Sequence, residues 1–120
     1  MEPDKYENLF KALANEQRLK IMYLLYCVDD KVTVSEFAYV FEDSQSNASR
    51  QLKILREAGL IKKQREGKWT YYGMQNISDQ FTVGVLNAIA TIPEEFVARE
   101  IERCNYLIAE RDRLLLGGSS

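Results

Sequence analysis

The sequence predicts a mainly α-helical domain that contains a single β-hairpin. Apolar residues recur at intervals of three and four over most of the 120 residues, which is the spacing of amphipathic helices. This period is interrupted between residues 60 and 74, where two runs rich in Ile, Thr, Trp and Tyr flank Glu66 and Gly67, as in a hairpin. A chain of this length is long enough for one domain with a substantial core. We expect that domain to cover residues 1–116, followed by a flexible tail over 117–120.

The first half of the chain predicts four helices. They are expected over residues 4–13, 16–28, 34–41 and 44–58. The second is apolar on almost all sides and should lie at the centre of the core. The third begins with a capping box formed by Thr33 and Glu36. Asp43 or Ser44 caps the fourth, and Gly59 stands where a helix commonly ends in a left-handed residue.

The second half of the chain predicts the hairpin and two further helices. They are expected over residues 60–65, 68–74, 78–91 and 93–116. Ser78 can cap the first of these helices, and Pro93 is placed where proline is tolerated at the start of the second. The order α1-α2-α3-α4-β-β-α5-α6 is that of a winged helix-turn-helix, with residues 78–116 as C-terminal dimerisation helices.

Basic residues are concentrated in one part of the chain. The net charge is −2, yet the segment from Ser44 to Met74 carries seven basic and two acidic residues, a net charge of +5. This asymmetry is typical of nucleic-acid contact, although a solvated surface can have the same composition. The helix that opens the segment begins with small and amide side chains, which can hydrogen-bond to base edges in the major groove. The candidate DNA contacts are Ser44, Gln45, Ser46, Asn47, Ser49, Arg50, Gln51, Lys53, Arg65 and Lys68.

Three stretches of the sequence resemble the ArsR/SmtB family of small winged-helix repressors. They are Phe10–Ile21, Ser44–Ile61 and Arg65–Tyr72, in that order. The resemblance implies a homodimer that binds a palindromic double-stranded DNA operator and is released by an effector. Gln51 stands where the family commonly has histidine, and Glu42 and Asp43 stand where it has small or apolar residues.

The absence of histidine limits the chemistry that this chain can perform. There are only two cysteines, Cys27 and Cys104, so a His-dependent catalytic pair, a His-ligated metal site and a four-cysteine zinc site in one chain are excluded. We expect no enzyme, no cofactor and no metal site. No basic segment precedes an apolar run at the N-terminus, and the longest apolar run is far shorter than a membrane span, so we expect a cytoplasmic protein.

The effector is left open by the sequence. The family's familiar sensor sites do not carry over, because residues 31–37 contain no cysteine and the helix after the hairpin contains no histidine. Cys27 and Cys104 leave three alternatives. They are small buried hydrophobic residues, or a redox or reactive-sulfur switch as in some family members, or part of a soft-metal or arsenite site formed by both chains of a dimer.

The last helix predicts a dimer interface. Its apolar residues follow heptad spacing, with Arg111 as a polar interruption. An amphipathic helix beyond a complete winged-helix core needs a surface to bury against, so dimerisation beside the first helix is favoured over packing on its own domain. The expected interface residues are Tyr6, Phe10, Val97, Ile101, Cys104, Ile108 and Leu115. A protein-interaction module that never contacts DNA is the alternative of another class.

Overall fold

The computed structural model describes residues 3–28 and 31–117, and the side chains of residues 4–27 and 31–111. Its elements are α1 (Pro3–Leu13), α2 (Glu16–Val28), α3 (Val34–Val40), α4 (Gln45–Glu57), β1 (Ile61–Glu66), β2 (Trp69–Met74), α5 (Gln80–Ala90) and α6 (Ala98–Gly117). A short 3-10 helix over Glu94–Val97 leads into α6, where the sequence predicted one continuous helix. The order of the helices and strands confirms the predicted winged helix-turn-helix. Of the predicted tail, Gly117 belongs to α6, and residues 118–120 lie outside the described residues.

Helix α2 lies at the centre of the core, as its sequence predicts. Five consecutive residues, 21–25, are buried, because the other helices surround it. Leu9 of α1, Phe37 of α3, Leu52 of α4 and Leu86 of α5 belong to the same buried cluster. Each such side chain contributes roughly 1.5–3 kcal/mol when it is removed from water. The core therefore fixes α3 and α4 against the rest of the domain.

The helix caps are specified locally. The capping box is present, since Thr33 Oγ1 accepts from the Glu36 backbone N–H at 3.3 Å and the Thr33 N–H donates to Glu36 Oε1 at 2.9 Å. Ser44, not Asp43, caps α4, and its Oγ accepts from the Asn47 N–H at 3.0 Å. The prediction that Ser78 caps α5 is wrong. The cap is Asp79, whose Oδ2 accepts from the backbone N–H of Thr82, three residues later, at 3.0 Å.

The hairpin is antiparallel, and its strands are paired from Ile61 opposite Met74 to Glu66 opposite Trp69. Gly67 in the turn has φ of 62°, a conformation that glycine adopts without steric cost. Tyr72 is only 6% exposed under the hairpin, whereas Trp69, on the opposite face, is 55% exposed. Val32 forms an isolated antiparallel bridge with Tyr72, a pairing that was not predicted from the sequence. This bridge ties the start of α3 to the hairpin.

Helix α6 packs on α3 of its own chain. Val97, just before α6, is 0% exposed, so its prediction as an interface residue is wrong: the chain's own core leaves it no surface for a partner. Ile101 and Cys104 are half-buried against the same core. Leu115 lies in α6, but its side chain is outside the described residues. Within the described part of the chain, no single helix is long and apolar enough to span a membrane. Only α5 and Glu94–Arg111 taken together reach that length and composition, and an 87° bend separates them.

Candidate nucleic-acid interface

One face of α4 is buried and the other carries polar side chains. Ala48, Leu52 and Leu55 are buried against the core. The opposite side, which we call the polar face of α4, has both exposed and half-buried residues. Those exposed are Ser44, Gln45, Ser46, Ser49, Arg50 and Lys53, and those half-buried are Asn47 and Gln51. The structure therefore brings the predicted α4 residues together on one accessible surface at the N-terminal half of the helix.

Asn47 is the centre of a hydrogen-bond network on this face. Its Nδ2 donates to Asp43 Oδ2 at 2.5 Å, and its Oδ1 accepts from Arg50 Nη2 at 2.7 Å. Asp43 Oδ2 also accepts from Gln17 Nε2 at 3.0 Å. The hydrogen bonds from Gln17 and Asn47 lower the pKa of the Asp43 carboxyl. Asp43 is therefore ionised at neutral pH, and its charge is directed into the protein.

Arg18 of α2 connects this network to α1. Its Nε donates to the Ala12 carbonyl at 2.6 Å, its Nη2 to the Lys11 carbonyl at 3.3 Å, and its Nη1 to Gln51 Oε1 at 2.6 Å. Gln51 Nε2 in turn donates to Asn47 Oδ1 at 3.4 Å. Arg18 was not predicted as a site residue. Its only signal in the sequence is its place in the polar first turn of α2, which becomes apolar after Lys20.

Glu42 precedes α4 and is paired with two arginines of α6. Its Oε2 lies 2.9 Å from Arg99 Nη2, and its Oε1 lies 2.6 Å from Arg103 Nη2. The backbone of Glu42 has φ of 51°, so the residue occupies the left-handed turn between α3 and α4. Glu42 and Asp43 depart from the family pattern. The two ion pairs of Glu42 reduce the repulsion that its carboxylate would otherwise exert on a phosphate, whereas Asp43 is held by hydrogen bonds from the neutral amides of Gln17 and Asn47.

The tip of the hairpin presents two cations. Arg65 and Lys68 are exposed, with Arg65 Nε donating to the Gly67 carbonyl at 3.3 Å. Glu66, between them, is ion-paired with Lys31, the residue before the Val32–Tyr72 bridge. The acidic residue of the tip is therefore compensated, and the two cations remain available to an anion in solution.

Aromatic residues of α1 and α5 form an exposed apolar cluster. The Tyr6 and Phe81 ring centroids are 4.9 Å apart, and those of Phe10 and Phe81 are 5.8 Å apart, both edge to face. Phe10 is 52% exposed and Phe81 is 45% exposed. Tyr6 and Phe10 were predicted as interface residues, whereas Phe81 was missed because its helical spacing also fits a core position. We call these three residues the aromatic cluster.

The two cysteines are free and have different surroundings. Cys27 is exposed, so its interpretation as a buried hydrophobic residue is wrong. Partial desolvation and the nearby Glu94 carboxylate raise the pKa of its thiol. Cys104 is half-buried and borders a small apolar cavity between α2, α3 and α6; burial raises the pKa of its thiol to about 11. Among residues 3–28 and 31–117, no group of three or more Cys, Asp or Glu side chains could hold a metal ion.

A polar recognition face on α4, a basic hairpin tip and a short preceding α3 define a winged helix-turn-helix DNA-binding domain. Comparison with known proteins agrees. Residues 15–63 match the model of the arsR family of bacterial regulatory proteins. The arsenical resistance operon repressor of Bacillus subtilis is 45% identical over 83 residues, which cover 69% of this chain and 75% of the relative. The chain belongs to the arsR family and is a DNA-binding transcriptional regulator.

Solved structures support the same assignment. HlyU from Vibrio cholerae, named a transcriptional activator, superposes with a TM-score of 0.61 at 31% identity, covering 74% of this chain and 94% of its own. The homodimeric winged helix-turn-helix domain of Mb0332 from Mycobacterium bovis gives a TM-score of 0.60 at 28% identity, covering 72% of this chain and 75% of that one. Family membership favours DNA binding over the alternative of a protein-interaction module.

Proposed function

We propose that this protein is a repressor that binds a palindromic operator as a homodimer and is released by an effector. The observation that carries the proposal is the polar face of α4 beside two exposed cations of the hairpin tip, in a chain related to an operon repressor. We propose that it acts in the cytoplasm, on double-stranded DNA. We propose repression and not activation because the Bacillus subtilis repressor is 45% identical to this chain, whereas the activator HlyU is 32% identical.

In this proposal the N-terminal half of α4 enters the major groove. The first backbone N–H groups and the helix dipole favour a phosphate there, and no acidic residue occupies the first turn of α4. Arg50 can form a bidentate contact with guanine, and Gln45, Ser46 and Ser49 can hydrogen-bond to neighbouring base edges or phosphates. Arg65 and Lys68 contact the backbone or minor groove beside the site.

The aromatic cluster supports the proposal of a homodimer. Phe10 and Phe81 leave about half of their ring surface in water in a single chain, and a second copy would remove it. A homodimeric relative with the same fold makes a second copy the occupant we favour. Two copies related by a two-fold axis would place two α4 helices on successive turns of one DNA face, about 34–36 Å apart.

The thiol switch is kept as a second candidate because Cys27 is exposed. Exposure gives an oxidant or a persulfide access to the Cys27 thiol. The raised pKa values of both thiols count against it, since the thiolate is the reactive form. A metal or arsenite site completed by the second chain is the remaining candidate for release, and its ligands would have to come from both chains.

The proposal is tested by DNA binding as a function of salt. Sites are selected from a random duplex library, and affinity is measured by fluorescence anisotropy at several salt concentrations. We expect selected duplexes with two inverted half-sites, and R50A should weaken specific binding by about 1–3 kcal/mol. K68Q should lower the slope of log affinity against log salt by about 1.

The matched control for K68Q is K5Q, because Lys5 is also an exposed cation but lies in α1, near Asp79 at the start of α5. We expect K5Q to bind DNA with the wild-type salt slope. If the wild-type dimer binds selected and random duplexes equally well, the proposed function is wrong.

A further inference from the structure

We propose that Arg18 fixes the carboxamide of Gln51 so that only its N–H group faces the DNA. Gln51 would then read a hydrogen-bond acceptor that adenine and guanine share, and not adenine alone. Arg18 is thus a positioning residue that sets base preference without touching the DNA. This inference rests on the proposed function of α4 as the DNA-reading helix.

Arg18 is held firmly by the main chain of α1. Two of its nitrogens donate to the carbonyls of Lys11 and Ala12, which lie at the C-terminal end of α1. Those carbonyls belong to the last turn of α1, where the helix dipole attracts a cation, and the Lys11 carbonyl also accepts from the Ala14 backbone N–H at 3.3 Å. The guanidinium plane is therefore set by the main chain of α1, and the remaining donor, Nη1, points to Gln51.

The side-chain oxygen of Gln51 is already occupied. Gln51 Oε1 accepts from Arg18 Nη1 at 2.6 Å, a charge-assisted hydrogen bond. Because α2 packs on the inner side of α4, this contact turns Oε1 towards the protein. Specific reading of adenine by glutamine requires both amide atoms at one base, the oxygen for the N6 amino group and the nitrogen for N7. With Oε1 turned inward, Gln51 cannot make that paired contact.

One N–H donor of Gln51 is left for DNA. The Gln51 amide nitrogen has two N–H groups, and one of them lies towards Asn47 Oδ1 at 3.4 Å. The other can donate to a purine N7, which adenine and guanine both present in the major groove. Gln51 therefore separates purine from pyrimidine on one strand and tolerates both purines.

Asn47 is constrained in the same way. Its Oδ1 accepts from Arg50, and one of the two N–H groups of its Nδ2 donates to Asp43, so Asn47 cannot make the paired contact with adenine either. Asn47 instead orients the Arg50 guanidinium. Arg50 carries more of the base reading than the two amide side chains do.

The test measures base preference and not affinity alone. Site selection with wild type and with Q51A identifies the base pair whose preference depends on Gln51. Affinity is then compared between duplexes with adenine or guanine at that position. A bidentate contact would favour adenine roughly 5- to 150-fold, so we expect wild type to differ by less than about fivefold. R18M releases Oε1 and should raise the adenine preference into the bidentate range.

K20M is the matched control, since Lys20 is also a cation of α2 but its Nζ donates to Glu100 Oε2 at 3.4 Å and not to Gln51, so K20M should retain the wild-type tolerance of both purines. Circular dichroism and sedimentation verify that each variant is folded and dimeric. The inference is overturned if wild type already prefers adenine by about fivefold or more, or if R18M leaves the base preference unchanged. If R18M does not fold, the ratio of wild-type affinities for the adenine and guanine duplexes tests the inference by itself. A wild type without any sequence preference would overturn the proposed function together with this inference.

Discussion

Arg111 of α6 donates from Nε to Glu36 Oε2 of α3 at 2.9 Å, and its Nη2 contacts the second oxygen of the same carboxylate. The Glu36 carboxylate also completes the capping box of α3. The Glu36 side chain therefore caps α3, the first helix of the helix-turn-helix, and also holds α6 against α3. Arg111, the polar interruption in the apolar spacing of α6, therefore attaches α6 to α3 of the same chain.

We expect variants of this contact to lower stability by different amounts. E36Q keeps an oxygen that can accept from the Thr33 N–H but removes the charge opposite Arg111. Because the pair is partly exposed, the loss should be about 0.5–1 kcal/mol. T33A removes the cap and should cost about 1 kcal/mol. Urea unfolding followed by circular dichroism measures both, with S35A, an exposed neighbour in α3, as the control.

T33A removes the hydroxyl that accepts from the Glu36 backbone N–H, whereas E36Q removes the carboxylate charge opposite Arg111. The double variant T33A/E36Q should lose no more than the sum of the single losses, since both remove support from the same turn. If E36Q unfolds at the wild-type urea concentration, the Arg111 contact contributes nothing to the position of α6.

The elements that the sequence predicted are those with local signals. The capping box of Thr33, the turn at Gly67 and the apolar period of α2 each depend on residues close in the chain, so their positions follow from spacing. The cap of α5 was assigned one residue early, to Ser78, because serine and aspartate are equally good caps. Only the side-chain hydrogen bond to Thr82 distinguishes them.

The parts that the sequence could not predict depend on distant contacts. Heptad spacing in α6 is equally consistent with a partner chain and with α3 of the same chain. The burial of Val97 and the Arg111 contact place part of that face within the chain. Likewise, the contact of Arg18 with Gln51 joins residues 33 positions apart, and no local pattern marks it.

We expect the Asp43 carboxylate to make stability depend on pH in the acid range. Hydrogen bonds from Gln17 and Asn47 lower its pKa in the folded state below the ordinary aspartate value of 3.8. A lowered pKa in the folded state means that the stabilisation is complete above the unfolded pKa and is lost as pH falls through the folded pKa. D43N should therefore be less stable than wild type at neutral pH, and the difference should narrow below pH 3.8.

Urea unfolding of both proteins from pH 7 to pH 3 measures this narrowing. Asp79 has a pKa lowered by Thr82, so D79N should show the same direction and serves as an independent comparison. Parallel stability curves for D43N and wild type across the whole range would show that the contacts of Asp43 do not favour its charged form.

We expect both thiols to react slowly with iodoacetamide at neutral pH. The pKa of Cys104 is raised to about 11, so on the order of one Cys104 in 10,000 is thiolate at pH 7. Cys27 also has a raised pKa but is exposed, so it should react faster than Cys104. Mass spectrometry over a pH series measures each rate, and C27S and C104S assign the two peptides. Rapid alkylation of either cysteine at pH 7 would favour the thiol-switch candidate.

We expect the aromatic cluster to hold the dimer together. F81A removes the ring that contacts both Tyr6 and Phe10, and loss of an aromatic side chain at the centre of an interface costs about 2 kcal/mol or more, roughly 30-fold in the dimer Kd. Y39A is the matched control, because Tyr39 is an equally exposed aromatic residue that lies beside Tyr106 on α3 and α6. Sedimentation velocity over a concentration series measures both. If Y39A dissociates the dimer and F81A does not, the second copy binds the α3 and α6 surface and not the aromatic cluster.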